Sequence, residues 1–545
     1  MAVNTSYPGV YIQELPSLVH SITPSPTSIA VFVGYTHPFL TPEANQLQAI
    51  QLSSVSDYQH NFGGFFYSPW QPDYVGQAVY EFFLNGGPSC YVVGLPAVQY
   101  YSAGAPAESG GNPVDVAEAT AAVDGTGGTI TFTALQPVGV AATAPATGTV
   151  GIPMQVAISN LQPAGTGSSA DIVISYGTVV ETYRQVPIAN VAATLAPSKL
   201  VSVTVTDPAP TAYPTTGSPF SFEYTSAPEE GWTVINPADF GQVFEDGAPL
   251  DKVPVFNLLA TPGMSDYAVT SAAAAYCERK RAFLIMDTPA PETTGWGPNS
   301  NVDWDANSVT EGIAGGTLSL SAGFPVSINA SLYYPWVTTT NLVTGAAEMA
   351  PPSGFVAGMC GKEDNTRGVW KSPAGIETSL LGTTGVDPLG LLTDAQQGLL
   401  NQNALNCLRQ FPAVGTVIYG ARTTAGADLN TAQQQWKYVA VRRMALFLEQ
   451  TLYANLTWAV FEPNSQPLWD ALTQDVGAFM LSLFRQGAFA GTTPSESFLV
   501  QCDATTTTAT DVAQGVVNIL VGFAPLVPAE FVVVQIAQLA GQAQS

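Results

Sequence analysis

Residues 253–287 read VPVFNLLATPGMSDYAVTSAAAAYCERKRAFLIMD. Val253–Ala260 has the apolar density of a buried strand. Asp266 can cap a helix that runs to about Lys280, and Ala282–Asp287 is a second strand. Strand, helix and strand at this spacing form a βαβ unit, with parallel strands and a right-handed crossover. The surrounding fold is therefore of α/β type.

Toward the C-terminus, Thr393 can cap a helix that ends before Pro412, and Val414–Ala421 predicts a strand. A helix from about Gln433 to Asn455 sets Val441, Ala445, Leu448 and Leu452 on one face, with Arg442 and Arg443 off that stripe. A second helix opens at Pro467 and closes near Gly487, burying Leu472, Val476, Met480 and Leu483. Phe498–Cys502 and Phe531–Gln538 predict closing strands. Toward the N-terminus, Ile29–Gly34 and Ser89–Gly94 read as strands on either side of a helix at Tyr74–Leu84. Val10–Glu14 is a short strand signal between Pro8-Gly9 and Pro16, the pattern of an extended arm. From about Ser102 to Ala227 the chain is rich in Gly, Ala, Thr, Val and Pro. Short alternations such as Thr129–Phe132, Met154–Ser159, Asp171–Tyr176 and Lys199–Val205 recur there, predicting an inserted all-β domain.

Composition narrows the function classes. The chain has 545 residues, which predicts three or four domains at ~150 residues each. Only 10% of residues are charged, against ~25% in an ordinary soluble chain. Hydrophobic residues make up 46%, and the net charge is −26. Residues 1–250 hold two basic residues and 18 acidic ones, while residues 251–545 hold 13 and 23. The first Lys or Arg is Arg184. Nucleic-acid binding, adhesion to anionic membranes, secretory signals and mitochondrial transit peptides all need basic residues that the first third lacks. The longest apolar run, Ile519–Gly541, is broken by Pro525, Pro528 and Glu530, so no membrane span is expected. Low charge with high hydrophobicity points to a surface largely covered by other molecules, that is, to an assembly subunit.

Candidate chemistry is sparse. The five cysteines are widely spaced and odd in number, as expected of free buried thiols. His20, His37 and His60 lie outside any hydrolase or zinc motif and read as surface side chains. Gly361-Lys362-Glu363 lacks the remainder of a phosphate loop. Asp303–Asn307 starts like a calcium loop, but Ser308 and Ala314 occupy its Gly and Glu positions. Asp287, at the carboxyl end of a predicted parallel strand, is the most enzyme-like residue, with a helix or turn cap as its simpler role. No cofactor, metal site or catalytic group is expected.

Several motifs together resemble the contractile tail sheath proteins of bacteriophages and phage-tail-like injection systems. They are Tyr7–Ser17 (YPGVYIQELPS), Thr27–Gly34 (TSIAVFVG), Tyr333–Val337 (YYPWV), Pro351–Gly358 (PPSGFVAG), Arg367–Ala374 (RGVWKSPA), Gly420–Thr423 (GART), Trp436–Arg443 (WKYVAVRR), Trp458–Asn464 (WAVFEPN), Phe498–Asp503 (FLVQCD) and Gly522–Val533 (GFAPLVPAEFVV). The resemblance covers residues 7–35 and 235–538. Cys360–Glu363, Ser372 and Gly375 are small departures.

The resemblance implies an α/β (mixed α+β) core built from N- and C-terminal segments, with an inserted all-β domain and extended terminal strand arms. The expected segments are an N-terminal arm at 1–30, core at 31–100, an outward β-rich insert at 101–230, core at 231–520 and a C-terminal arm at 521–545. It further implies a helical homo-oligomer of stacked, hexameric rings around an inner tail tube protein, meeting baseplate and tail terminator proteins. Neither nucleic-acid binding nor direct membrane insertion is implied. The setting would be a phage virion tail or phage-tail-like particle, assembled in the bacterial cytoplasm. Contraction would drive the tube through a target envelope without an active site. The arm strands expected to join neighbouring subunits are Val10, Tyr11, Ile12, Gln13 and Glu14, and Phe531, Val532, Val533, Val534, Gln535 and Ile536. Arg367, Arg442 and Arg443 are the candidate charge contacts with the tube or between core domains, with salt bridging inside the core as the alternative. The competing classes are a capsid or adhesin subunit and an α/β hydrolase using Asp287.

Overall fold

A computed structural model describes residues 20–68, 71–96, 98–100, 113–115, 118–141, 149–163, 168–224, 236–290 and 303–535. The arm strand expected at Val10–Glu14 lies outside the described residues, as does Ile536. Contacts divide the chain into two units. One holds Thr27–Glu363 and Pro373–Lys437; the other holds Met1–Pro26, Asp364–Ser372 and Tyr438–Ser545. The core segment expected at 231–520 is thus split between two cores, because the helices after Tyr438 build an apolar cluster of their own.

In the larger unit the chain begins with β1 (Ala30–Tyr35), β2 (Ala49–Leu52), α1 (Val55–Phe62), α2 (Tyr74–Leu84) and β3 (Cys90–Leu95). The insert follows. Its strands are β4 (Ala119–Gly125), β5 (Gly128–Ala134), β6 (Met154–Gln162), β7 (Ser169–Tyr176), β8 (Val179–Pro187), β9 (Val201–Val205), β10 (Phe220–Ser221) and β11 (Glu223–Tyr224). They form two four-stranded sheets, β8-β7-β6-β10 and β9-β5-β4-β11. Both sheets supply one core through alternate residues, such as Ala170, Ile172, Ile174 and Tyr176 from β7 and Ile130, Phe132 and Ala134 from β5.

The α/β part then resumes with β12 (Leu258–Ala260), α3 (Tyr267–Lys280), β13 (Phe283–Asp287), α4 (Ala306–Gly315), β14 (Ala330–Tyr334), β15 (Val337–Thr340), β16 (Ala347–Ala350), α5 (Ser353–Thr366), β17 (Thr383–Val386), α6 (Asp394–Gln402), β18 (Leu405–Phe411) and β19 (Gly415–Ile418). Eight strands make the main sheet, in the order β2-β3-β1-β12-β13-β14-β18-β19. Its centre is parallel and its two edge strands are antiparallel. The βαβ reading holds: Leu258 pairs with Phe283 and Leu259 with Leu284, and Asp266 caps α3 by accepting from Ala268 N and Val269 N. The first of these strands is shorter than expected: residues 253–257 stay outside the ladder, and Pro254 among them has no N–H to give it. The larger correction concerns Thr393 to Pro412. The helix stops at Gln402, Ala404 takes a φ of 63°, and Leu405–Phe411 enters the sheet beside β14. Four successive buried residues, Leu405–Leu408, fill a slot that is covered on both faces, which overrides the helical periodicity.

Glycine spacing explains the PPSGFVAG segment. Gly354, Gly358 and Gly361 share one face of α5, three and four residues apart. A Cβ at Gly354 would lie 2.6 Å from Ala78 Cα, and one at Gly358 would lie 2.6 Å from the Phe82 carbonyl oxygen. The backbones of α2 and α5 therefore meet with no room for side chains. Gly358→Val should destabilise the fold by about 1–3 kcal/mol or more through overpacking. Urea unfolding would read that loss, while Gly398→Ala, inside α6 where a Cβ meets nothing within 4 Å, should raise the midpoint slightly.

Candidate assembly surfaces

The smaller unit is built on α7 (Val439–Asn455) and α8 (Gln466–Arg485). Met444, Phe447 and Leu448 pack with Val476, Phe479, Met480 and Leu483; of the expected stripe on α7 only Leu448, with the partly buried Leu452, faces this core, while Val476, Met480 and Leu483 of α8 do so as expected. The expected start at Gln433 is corrected to Val439, since Thr431–Trp436 is a kinked 3-10 turn. Against this core lies a two-stranded antiparallel sheet, β20 (Phe498–Gln501) and β21 (Leu520–Phe523), with Phe498 opposite Phe523 and Val500 opposite Val521. Phe498, Val500, Val521 and Phe523 pack on the helices. The alternate residues Leu499 and Leu520 are 51% and 50% exposed on the other face.

Past β21, residues 531–535 have no strand partner among the described residues. Phe531, Val532, Val533 and Val534 are each 76–81% exposed. Four consecutive apolar residues stand in water, and the Tyr438 hydroxyl donates to Glu530 Oε2 just before them at 3.1 Å. The incoming segment is held by side chains that sequence reading missed. Thr23 N donates to Asn455 Oδ1 and Asn455 Nδ2 donates back to Thr23 O, both at 2.9 Å. Ser25 N donates to Thr451 Oγ1, and His20 stacks on Trp458 at 4.1 Å. An Asn that ends a helix, well placed to bond an extended strand both ways, was the available signal.

The three candidate arginines separate. Arg443 is buried at 3% exposure and meets the fully buried Asp364 carboxylate through two bonds, Nη1–Oδ1 at 3.0 Å and Nη2–Oδ2 at 2.6 Å. It serves inside the unit and offers no surface to a tube. Arg442 pairs with Glu449 at 3.0 Å along the same helix, with Glu449 41% exposed. Arg367 is exposed and engaged within the chain.

Asp287 is wholly buried and accepts from Gly263 N at 3.0 Å, Ser353 N at 2.8 Å and Ser353 Oγ at 2.7 Å. It therefore ties the start of α5 to the loop after β12, which is the capping role. Burial pushes its pKa up to about 6, with those hydrogen bonds opposing. Asp305, in the calcium-like segment, caps α4 through Asn307 N and Ser308 N. His37 corrects the expectation of a surface histidine. It is buried, its Nδ1 accepts from Phe39 N and Leu40 N, and its Nε2 therefore donates to Gln136 Oε1 in the insert at 3.0 Å. Desolvation lowers its pKa to about 4. All five cysteines are free and buried. Among the described residues no three His, Cys, Asp or Glu side chains converge for a metal, and no helix is long and apolar enough to cross a membrane.

A mixed sheet, a β insert and a terminal two-stranded sheet with exposed apolar ends define a class of assembly proteins. The family model for the phage tail sheath protein central domain matches residues 322–424, and that for the phage tail sheath C-terminal domain matches residues 431–538. A protein named as a prophage major tail sheath protein of Pseudomonas aeruginosa (strain UCBPP-PA14) is 30% identical over 294 residues, covering 52% of this chain and 66% of its own length. The tail sheath protein of Burkholderia phage BcepMu is 26% identical over 228 residues, covering 40% of this chain and 46% of its own. The aligned stretches thus span less than two thirds of both relatives. The fold matches the sheath complex of an extracellular contractile injection system, PVC, in its contracted state (TM-score 0.55, 22% identity, 98% of this chain and 99% of that one). The contracted helical sheath of the anti-feeding prophage matches equally (TM-score 0.55, 22% identity, 98% and 99%). Residues 322–538 thus carry matches to the central and C-terminal domains of phage tail sheath proteins.

Arg443→Ala should cost about 3–5 kcal/mol by stranding the buried Asp364 charge. Arg442→Ala, at a half-exposed pair, should cost under about 1 kcal/mol. Equal losses in chemical unfolding would contradict this assignment. A pH dependence also follows. Burial raises Asp287 to about 6 and Asp73 to about 7, from 3.8. Carboxylates raised in the folded state bind more protons there than when unfolded. Their stabilisation is complete below pH 3.8, is lost progressively as pH rises from there, and is gone above the folded values of about 6 and 7. His37, lowered from 6.5 to about 4, acts oppositely, losing its contribution as pH falls through that window. The melting temperature should therefore fall as pH rises from about 4 to 7, with His37 offsetting part of the fall below 6.5 and a shallower slope in Asp73→Asn.

Proposed function

We propose that this chain is the structural subunit of a contractile tail sheath, polymerising as a helical stack of rings around an inner tube. Contraction then drives the tube through a target envelope. The tail sheath domain matches support the assignment, and one observation gives it a mechanism. The same chain carries a two-stranded sheet with exposed leucines and, nearby in sequence, the strand-forming run Phe531–Val534 left in water. Donated to β20–β21 of a neighbour, that run pairs its main chain and buries its side chains, which is β-augmentation. Val10–Glu14 is the proposed partner strand at the other terminus, leaving the chain through the Thr23–Asn455 clamp.

Donor and acceptor are different patches of one surface, so the contact is heterologous and propagates as an open helix. The proposed partners are further copies in hexameric rings, the tube, the baseplate and the tail terminator. Arg442 and Arg367 are the proposed charge contacts. The particle is a phage tail or phage-tail-like injection system assembled in the bacterial cytoplasm, and it works without catalysis. Subunits move as near-rigid bodies while the shared strands act as hinges.

Truncation after Leu526 tests this reading. The shortened chain should keep its helical circular dichroism and run as a monomer, while the full chain forms hollow tubes by negative-stain microscopy. Val532→Asp with Val534→Asp should act like the truncation. Tubes of normal length from either variant would refute the strand-donation mechanism.

A further inference from the structure

A cavity of about 110 Å³ lies in the larger unit, between the start of α2 and the β15–β16 turn. Its walls are aromatic and apolar, including Phe66, Tyr67, Val343 and Met349, and its polar lining includes Gln71, Asp73 and Glu348. Each carboxylate has donors, since Asp73 accepts from Gly76 N and Phe66 N while Glu348 Oε2 accepts from Asn341 Nδ2 at 2.6 Å. Neither has a cationic partner among the described residues. Gln71 is 1% exposed; its Nε2 is spent on the Thr36 carbonyl oxygen, and its buried Oε1 accepts from nothing described. Three acceptors without enough donors therefore surround one small space. Desolvation holds the pKa of Asp73 at about 7, and the charge of Glu348 adds to that rise.

A bare metal ion suits this site poorly. No three acidic, His or Cys side chains converge among the described residues, and the walls are aromatic. An organic cation suits it better. Its head group donates to carboxylates and amide oxygen, and its stem lies along apolar and aromatic walls. At ~30 Å³ per water the space equals three or four waters, the bulk of a short alkyl stem with a cationic head. We propose that this cavity binds an alkyl-guanidinium or alkyl-ammonium group, the chemistry of an arginine or lysine side chain or of a free polyamine. This goes beyond the assembly role and does not depend on it.

The full-length chain, dispersed as subunits, would be titrated calorimetrically with n-butylguanidinium, n-butylammonium and Ca²⁺. Saturable binding of the organic cations is expected, weakened about tenfold in Asp73→Asn/Glu348→Gln. Gln71→Leu, which leaves both carboxylates in place, should weaken it too and serves if the double variant does not fold. Affinity unchanged in the variants, saturation by Ca²⁺ alone, or no binding of either organic cation would overturn the proposal. Assembled particles separate the sources. A neighbour's side chain would exclude the probe from particles, whereas a free polyamine would be recovered from acid extracts of wild-type particles and not of the double variant. Particles that take up probe as subunits do and carry no polyamine would also overturn it.

Discussion

Main-chain hydrogen bonding is the constraint on which this molecule turns. Every backbone N–H and C=O needs a partner, and the eight-stranded sheet supplies ladders on both sides of its six inner strands, with a short antiparallel strand at each edge. The sheet of the smaller unit does not. Among the described residues β20 and β21 have no ladder partner but each other, with a bridge between Phe489 and Pro525 just past β21. An edge of this kind, next to exposed leucines and a run of exposed valines, is an aggregation hazard in a monomer. A sheath subunit turns the hazard into its means of assembly, because the groups that invite indiscriminate pairing are those a register-specific arm satisfies.

The sparse charge has the same logic. A chain with 10% charged residues has few ions to keep its surface soluble. Several of those it has are spent internally. Arg443 closes on Asp364, Arg422 and Lys437 share Asp428, and Lys280 meets Asp251. Glu81 is buried and Asp73 half-buried, and desolvation raises the pKa of both, so part of the formal negative charge is suppressed near neutral pH. The surface is therefore more apolar than the composition alone conveys, as suits a subunit meant to be surrounded.

What was legible in the sequence followed from local signals. Caps at Asp266 and Thr393, the Tyr74–Leu84 helix and the alternation of the insert strands could be read because side-chain pattern and backbone state are set within a few residues. Leu405–Phe411 was misread because a buried parallel strand and a buried helix share one apolar texture, and only the neighbouring Tyr334 and Leu332 decide between them. Arg443 was placed off the buried stripe, and its burial depends on Asp364, 79 residues away. The Asn455 clamp and the Gln71 cavity are likewise long-range. The terminal apolar run was visible as strand-forming, and among the described residues it has no ladder partner.

That last point bears on how a sheath can contract without coming apart. Contacts between rigid faces must break when subunits reorient, and each break costs the buried area it held. Shared strands differ, because the covalent chain between donor and acceptor absorbs the rotation while the ladder stays formed. Residues between Phe523 and Phe531 suit such a link. They include Pro525 and Pro528, which stop the strand from running on, and their backbone leaves the β21 ladder after Ala524 bonds Ser497 and Ala490. Under the proposed strand donation, the lattice would exchange its lateral contacts freely, and the energy of contraction would come from those exchanged faces, not from the strands joining the subunits.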